Sequence, residues 1–270
     1  MDTDDEKIPI THEPAWWHAT LAFPGSVVTP ESARALREGL RDQRFHFLLK
    51  DGGLRLRTEY LMFDLLEKLV ADGQIRSWTG GIYEPETHAF GGPEGMGVAH
   101  ELFCTDSRDA LPQIGVPGGR ERSILLLSAM FRSAGQDPFE TGDVWAQLGA
   151  LRPPPIPPTG ATLKRAVTSM RHLMTADAAR RQAPETGWTE RVAAFERAGR
   201  QLKQLASDGL LTRGLRAVLA GPRPPRGLHL QPRRRTRPPA GRSSLVGPRS
   251  GLPRTSGRRR VPPPSPPRHP

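Results

Sequence analysis

The chain has 270 residues and a formal net charge of +11, but thirteen of its 39 basic residues and none of its 28 acids lie in residues 221–270. The first 220 residues therefore carry 26 Lys+Arg against 28 Asp+Glu, the balance of an ordinary, slightly acidic globular body long enough to bury a core. A single cysteine, Cys104, excludes an internal disulfide framework and a multi-Cys zinc site, no apolar run reaches the ~18–20 residues of a membrane span, and the acidic start Met1–Asp5 is no signal peptide, so a cytoplasmic protein is expected.

Residues 1–14 are polar and read as a flexible N-terminus. Trp16–Phe23 (WWHATLAF) is short, aromatic and bounded by Pro24-Gly25, which predicts a buried strand. Thr29-Pro30-Glu31 supplies an N-cap with Pro at the first helical position and predicts a helix to about Leu40. Arg44–Lys50 alternates, with Phe45, Phe47 and Leu49 on one face and His46, Leu48 and Lys50 on the other. Leu54–Glu59 alternates again after the turn Asp51-Gly52-Gly53, so the two runs predict a hairpin. Leucines 61, 65 and 69 predict a helix over Tyr60–Ala71, and Ile75–Tyr83 reads as a further strand. The resulting order is β-α-β-β-α-β, a ferredoxin-like N-terminal half of an α+β protein.

The second half reads as helical: Gly95–Cys104, Asp106–Leu111, Arg120–Ser133, Thr141–Leu148, Ala161–Ala176, Thr189–Asp208 and a short piece near Thr212–Leu219, with a polyproline segment at Arg152–Thr159. From Gly221 the composition changes to Arg, Pro, Gly and Ser, which cannot bury enough surface to offset ordering, so 221–270 reads as disordered. It is either a solvated basic tail or out-of-frame text from GC-rich coding DNA, a reading that suits 34 Arg against 5 Lys. Without Phe, Tyr or Trp it offers nucleic acid only non-specific, salt-sensitive phosphate attraction.

GxGxxG, Walker, GxSxG and HExxH signatures are absent, and the histidines show no metal-ligand spacing. Neither a metal nor a cofactor is expected. Three stretches hold candidate chemistry. In Gly53-Leu54-Arg55-Leu56-Arg57 the two arginines share one strand face, which makes either a fork for an anion or a solvated face paired with Glu59. The run Tyr83–Met96 (YEPETHAFGGPEGM) passes from a strand through a glycine-rich bend into a helix start. Glu84, Glu86, His88, Gly91 and Gly92 there are candidate substrate-binding positions, and Glu84 and Glu86 are candidate partners of Arg55 and Arg57. In Ala99–Phe103 (AHELF), His100 is either a hydrogen-bonding site residue or a packing residue, Asp106-Ser107 reads as the cap of a following helix, and Cys104 reads as buried and inert.

Taken together, ΦRΦR on a hairpin strand, YEPETHAFGGPEGM, AHELF, DS, RERSILLLSAM and GDVW resemble the thiopeptide-type bacteriocin biosynthesis domain, which is also the C-terminal elimination domain of class I lantibiotic dehydratases. The resemblance covers residues 15–220. It implies a stand-alone elimination subunit of a split dehydratase. A partner that uses glutamyl-tRNA would glutamylate Ser or Thr of a ribosomal precursor peptide, and this chain would expel glutamate to leave a dehydroamino acid. It also implies that Arg55 and Arg57 lie on the catalytic strand, holding the departing carboxylate or the enolate oxygen. Two positions depart from the family: Ala89 stands where many members have arginine, and a closing H-x-[apolar]-x-x-N-R segment is missing from a chain that contains no Asn. The alternatives are a pyridine-forming cyclisation enzyme and a catalytically dead peptide-binding scaffold.

Overall fold

The computed structural model describes residues 16–50, 52–150, 159–178 and 187–221. The expectations for residues 1–14, for 152–158 and for the basic segment from 222 onwards lie outside them.

Strands β1 (Trp17–Ala22), β2 (Phe45–Lys50), β3 (Gly53–Thr58) and β4 (Ser77–Ile82) form one sheet in the order β2-β3-β1-β4, with every neighbouring pair antiparallel. Helix α1 (Pro30–Gly39) joins β1 to β2, and α2 (Phe63–Ala71) joins β3 to β4. The Thr29 hydroxyl accepts a hydrogen bond from the Ser32 amide at 3.1 Å, so α1 starts where its cap and Pro30 place it. Side-chain alternation then gives the sheet two unlike faces. One presents Ala19, Leu21, Phe45, Phe47, Leu54 and Leu56 to Ala33 and Leu36 of α1 and Leu66 and Leu69 of α2, all of them buried. The other carries His18, His46, Arg55 and Arg57.

The remaining chain is helical: α3 (Pro93–Ala110), α4 (Gly119–Ser133), α5 (Pro138–Ala150), α6 (Gly160–Thr175), α7 (Trp188–Ser207) and α8 (Leu215–Leu219). Leu125, Leu126 and Phe131 of α4 pack against Val192, Phe195 and Ala198 of α7 in a second core. A mixed α+β chain with its helices concentrated in the second half is what the structure shows.

Several boundaries differ from expectation, α5 starting at Pro138 rather than Thr141 and α8 at Leu215 rather than Thr212 among them. The Tyr60–Ala71 helix begins only at Phe63, and the Thr58 hydroxyl instead donates to the Tyr60 carbonyl at 2.6 Å. The strand expected from Ile75 begins at Ser77, because the amides of Gln74 and Ile75 turn back to the Leu69 carbonyl and close α2. The two helices expected on either side of Thr105 are one, α3, and neither Asp106 nor Ser107 caps anything. Both side chains point instead to distant partners. The Phe47 amide of edge strand β2 donates to the Ser107 hydroxyl at 3.2 Å, and Asp106 accepts from Arg191 of α7. Helix α3 is thereby held on β2 at one side and on α7 at the other.

Candidate functional site

The polar sheet face is crossed by a row set by strand register. His46 on β2 lies opposite Arg57 on β3, Arg57 opposite His18 on β1, and His18 opposite Gly81 on β4. Helix α3 brings His100 over the β2 end of this row, and Tyr83, the first residue after β4, leads the chain on to Glu84 and Pro85. The His46 ring stacks on His100 with centroids 5.7 Å apart, and Trp16 lies 4.9 Å from His46 and 5.0 Å from His100.

Arg57 is the cation of this cluster. Its guanidinium carbon sits 4.1 Å from the centre of the Tyr83 ring, a cation–π contact, and its Nη1 donates to His46 Nε2 at 3.2 Å. The Tyr83 hydroxyl lies 2.8 Å from His100 Nε2. Burial holds His46 well below the ordinary histidine range, with the charges of Arg57 and then His100 and His18 acting in the same direction. Burial first, and then Arg57 and Arg44, lowers His100 to about 4. His18 is lowered too, by burial and then by Arg57 and Arg55. At neutral pH all three rings are therefore uncharged, so His46 Nε2 and His100 Nε2 can accept from Arg57 and Tyr83. Burial also lowers Arg57, opposed by Tyr83 and at longer reach by Glu86, but from so high a starting value that the guanidinium stays charged. Among the described residues no carboxylate is within hydrogen-bond distance of Arg57, and its Nε has no partner.

The expected site residues separate into those this cluster includes and those it does not. Arg57 and His100 are in it. Arg55 shares the face of Arg57 but makes no hydrogen bond or ion pair among the described residues, and its charge is felt at His18. Glu84 and Glu86 form no ion pair with either arginine, and the pairing with Glu59 does not form either, because Glu59 binds Arg44 at 2.6 Å. His88 is exposed. Gly91 and Gly92 are buried with φ of 85° and 107°, a conformation that suits glycine, and a Cβ at Gly91 would fall 2.8 Å from Val218 Cγ2. The Thr212 amide donates to the Gly91 carbonyl at 2.9 Å, so the bend is a seat for the segment entering α8. Cys104 is buried, its thiol pushed up to about 12 mainly by burial. Trp16, His18, His46 and Tyr83 carry no role in the sequence reading. The signal for His46 was present in the turn at 51–53, which pairs Lys50 with Gly53 and so puts position 46 opposite Arg57.

Chemically, the arrangement is a cation held by neutral donors and acceptors next to a phenol–imidazole hydrogen bond, suited to an anion or to oxygen on which negative charge develops. Among the described residues no group of three or more His, Cys, Asp or Glu could hold a metal ion, and no helix is long and apolar enough to cross a membrane.

The family model described as "Lantibiotic biosynthesis dehydratase C-term" matches residues 27–234, most of the chain. The chain belongs to this lantibiotic dehydratase C-terminal family. Among solved structures, it is similar to the crystal structure of the tRNA dependent lantibiotic dehydratase MibB from Microbispora sp. 107891, at 16% identity and a TM-score of 0.35. The similarity covers 81% of this chain but 28% of MibB, so this dehydratase C-terminal chain spans less than a third of that protein's length. No curated protein matches the chain.

Proposed function

We propose that residues 15–220 form the elimination unit of a peptide dehydratase, acting in the cytoplasm on a ribosomal precursor peptide that a glutamylating partner has loaded from glutamyl-tRNA. The observation that carries this reading is Arg57, a guanidinium packed on Tyr83 and His46 without a carboxylate among the described residues to neutralise it. We read the sheet order β2-β3-β1-β4 with its two connecting helices as ferredoxin-like.

β-Elimination from an O-glutamyl serine passes the peptide α-proton to a base, for which the neutral imidazole of His100 is the candidate in this reading. The C–H electron pair becomes the Cα–Cβ double bond, and the Cβ–O pair leaves with the glutamate carboxylate. Negative charge develops on the peptide carbonyl oxygen and on the leaving group, and a fixed cation nearby stabilises both. Arg57 fills that role in this reading. Arg55, on the same face, supplies a second cation for the glutamyl group. His46 is a positioning residue that holds Nη1 of Arg57, and the Tyr83–His100 hydrogen bond keeps an exchangeable proton beside it. No cofactor takes part in this scheme.

The test uses a synthetic peptide bearing O-glutamylserine, with glutamate release and conversion to dehydroalanine followed by chromatography and mass spectrometry. The reading expects both products in equal amounts. Tight binding without release would make the chain a scaffold, and ring formation from a peptide that already carries two dehydroalanines would make it a cyclisation enzyme.

A further inference from the structure

The row of site residues runs across the sheet and ends at an edge. One side of the sheet is finished by β2, on which α3 lies, its Ser107 hydroxyl taking the Phe47 amide. The other side is finished by β4, and among the described residues nothing hydrogen-bonds to the outer edge of Ser77–Ile82. Proteins usually guard such an edge with lysine, proline, a bulge or a covering segment. The sequence Ser77-Trp78-Thr79-Gly80-Gly81-Ile82 has no charge and no proline, and Ile82 is 87% exposed.

The edge is also aligned with the chemistry. His46, Arg57, His18 and Gly81 follow one another across four strands, so the row that begins under α3 arrives at β4 on a residue with no side chain. The His18 ring lies over Gly81, 3.2 Å from where a Cβ would stand, so glycine makes room for His18 as the residue of the row nearest the edge. A strand added outside β4 would sit ~4.8 Å farther on, with alternate side chains directed over Gly81 along the same face.

We propose that β4 is the docking edge for the substrate peptide, which binds as an extended fifth strand and directs its modified side chain over Gly81 towards Arg57. The inference rests on the elimination reading, since it takes the occupant to be a segment of the glutamylated peptide. Main-chain hydrogen bonds would hold such a segment with little regard to its sequence, and the alternating side chains would set which residue reaches the site. Glycines in the receiving strand let the two backbones approach without obstruction.

The experiment is amide hydrogen exchange on the full chain, with and without a short peptide carrying O-glutamylserine, beside the glutamate-release assay. Addition of peptide should slow exchange of alternate amides within Ser77–Ile82. Two N-methylated versions of the peptide extend the test without altering the protein. Methylating alternate amides in the phase that faces β4 should weaken binding by about tenfold or more, and methylating the opposite phase should not. If glutamate is released while β4 stays unprotected and both methylated series bind alike, the docking edge is wrong and elimination stands. If there is neither release nor protection, both readings fall. Protection of β4 already present in free protein and lost on dilution would overturn the proposal in favour of pairing with a second copy.

Discussion

Two arginines reach towards α3 from opposite sides, and their surroundings differ in one respect. Arg191 of α7 is 4% exposed, and both its Nε and Nη2 lie 2.6 Å from Oδ1 of Asp106, itself 1% exposed. Arg57 of β3 is half-buried, and its contacts are the Tyr83 ring and a neutral imidazole. Where a cation serves only to join two helices, the chain supplies its carboxylate. Where it stands on the open sheet face, the chain supplies partners that orient the guanidinium and leave its charge for something else to meet. A buried charge without its partner is costly, which is why the first arrangement belongs with stability and the second, on the proposed function, with a ligand.

The sharpest way to break this comparison is to remove the compensating charge. Asp106→Asn should lower the unfolding free energy by about 3–5 kcal/mol, because Arg191 is left charged and buried. Arg57→Met should cost less, about 1–3 kcal/mol, because no ion pair is lost but the buried His46 Nε2 loses its donor. Denaturant unfolding of both variants checks this, and equal losses would erase the distinction.

Acid should separate the two regions next. His100 titrates near 6.5 in the unfolded chain and near 4 when folded, so the unfolded state binds more protons between those values. Stability is therefore full above pH 6.5 and falls as pH drops towards 4, by about 3 kcal/mol from this ring, with His46 acting in the same direction. His100→Gln keeps an acceptor for the Tyr83 hydroxyl and should flatten that decline. Unfolding curves from pH 7 to 4.5 with an unchanged slope in the variant would contradict the neutral state assigned to His100.

A smaller effect is expected at the hook that holds α3 on β2. Ser107→Ala removes the hydroxyl that takes the Phe47 amide at 3.2 Å and should cost about 0.5–1.5 kcal/mol. By shifting His100 over the row it should also slow glutamate release more than it weakens peptide binding. A loss in stability alone would make Ser107 a purely structural contact.

Local rules made much of the sheet half legible. Thr29-Pro30 fixed the start of α1, and strict alternation in Phe45–Lys50 and Leu54–Thr58 separated the core face from the polar one. The motif YEPETHAFGGPEGM carried the family. What escaped depends on residues far apart in the chain. Asp106 and Ser107 have the types that cap helices, and only Arg191, 85 positions away, and the Phe47 amide, 60 positions away, explain why α3 runs straight through them. Gly91 and Gly92 likewise meet a stretch far along the chain, the Leu211–Val218 segment, which their own neighbourhood in the sequence does not announce. Tyr83 and His100 are joined across the glycine bend, a closure that no periodicity announces.

The most direct measurement is the single-turnover rate of glutamate release by Arg57→Lys, taken at saturating O-glutamylserine peptide. Lysine keeps the charge but not the planar fork packed on Tyr83 and bonded to His46. The account predicts a rate lower by roughly 30–1,000-fold, the equivalent of about 2–4 kcal/mol of transition-state stabilisation, with the unfolding midpoint and peptide affinity little changed. A rate within twofold of the parent chain would contradict it, and would return Arg57 to the solvated strand face that the bare sequence also allowed.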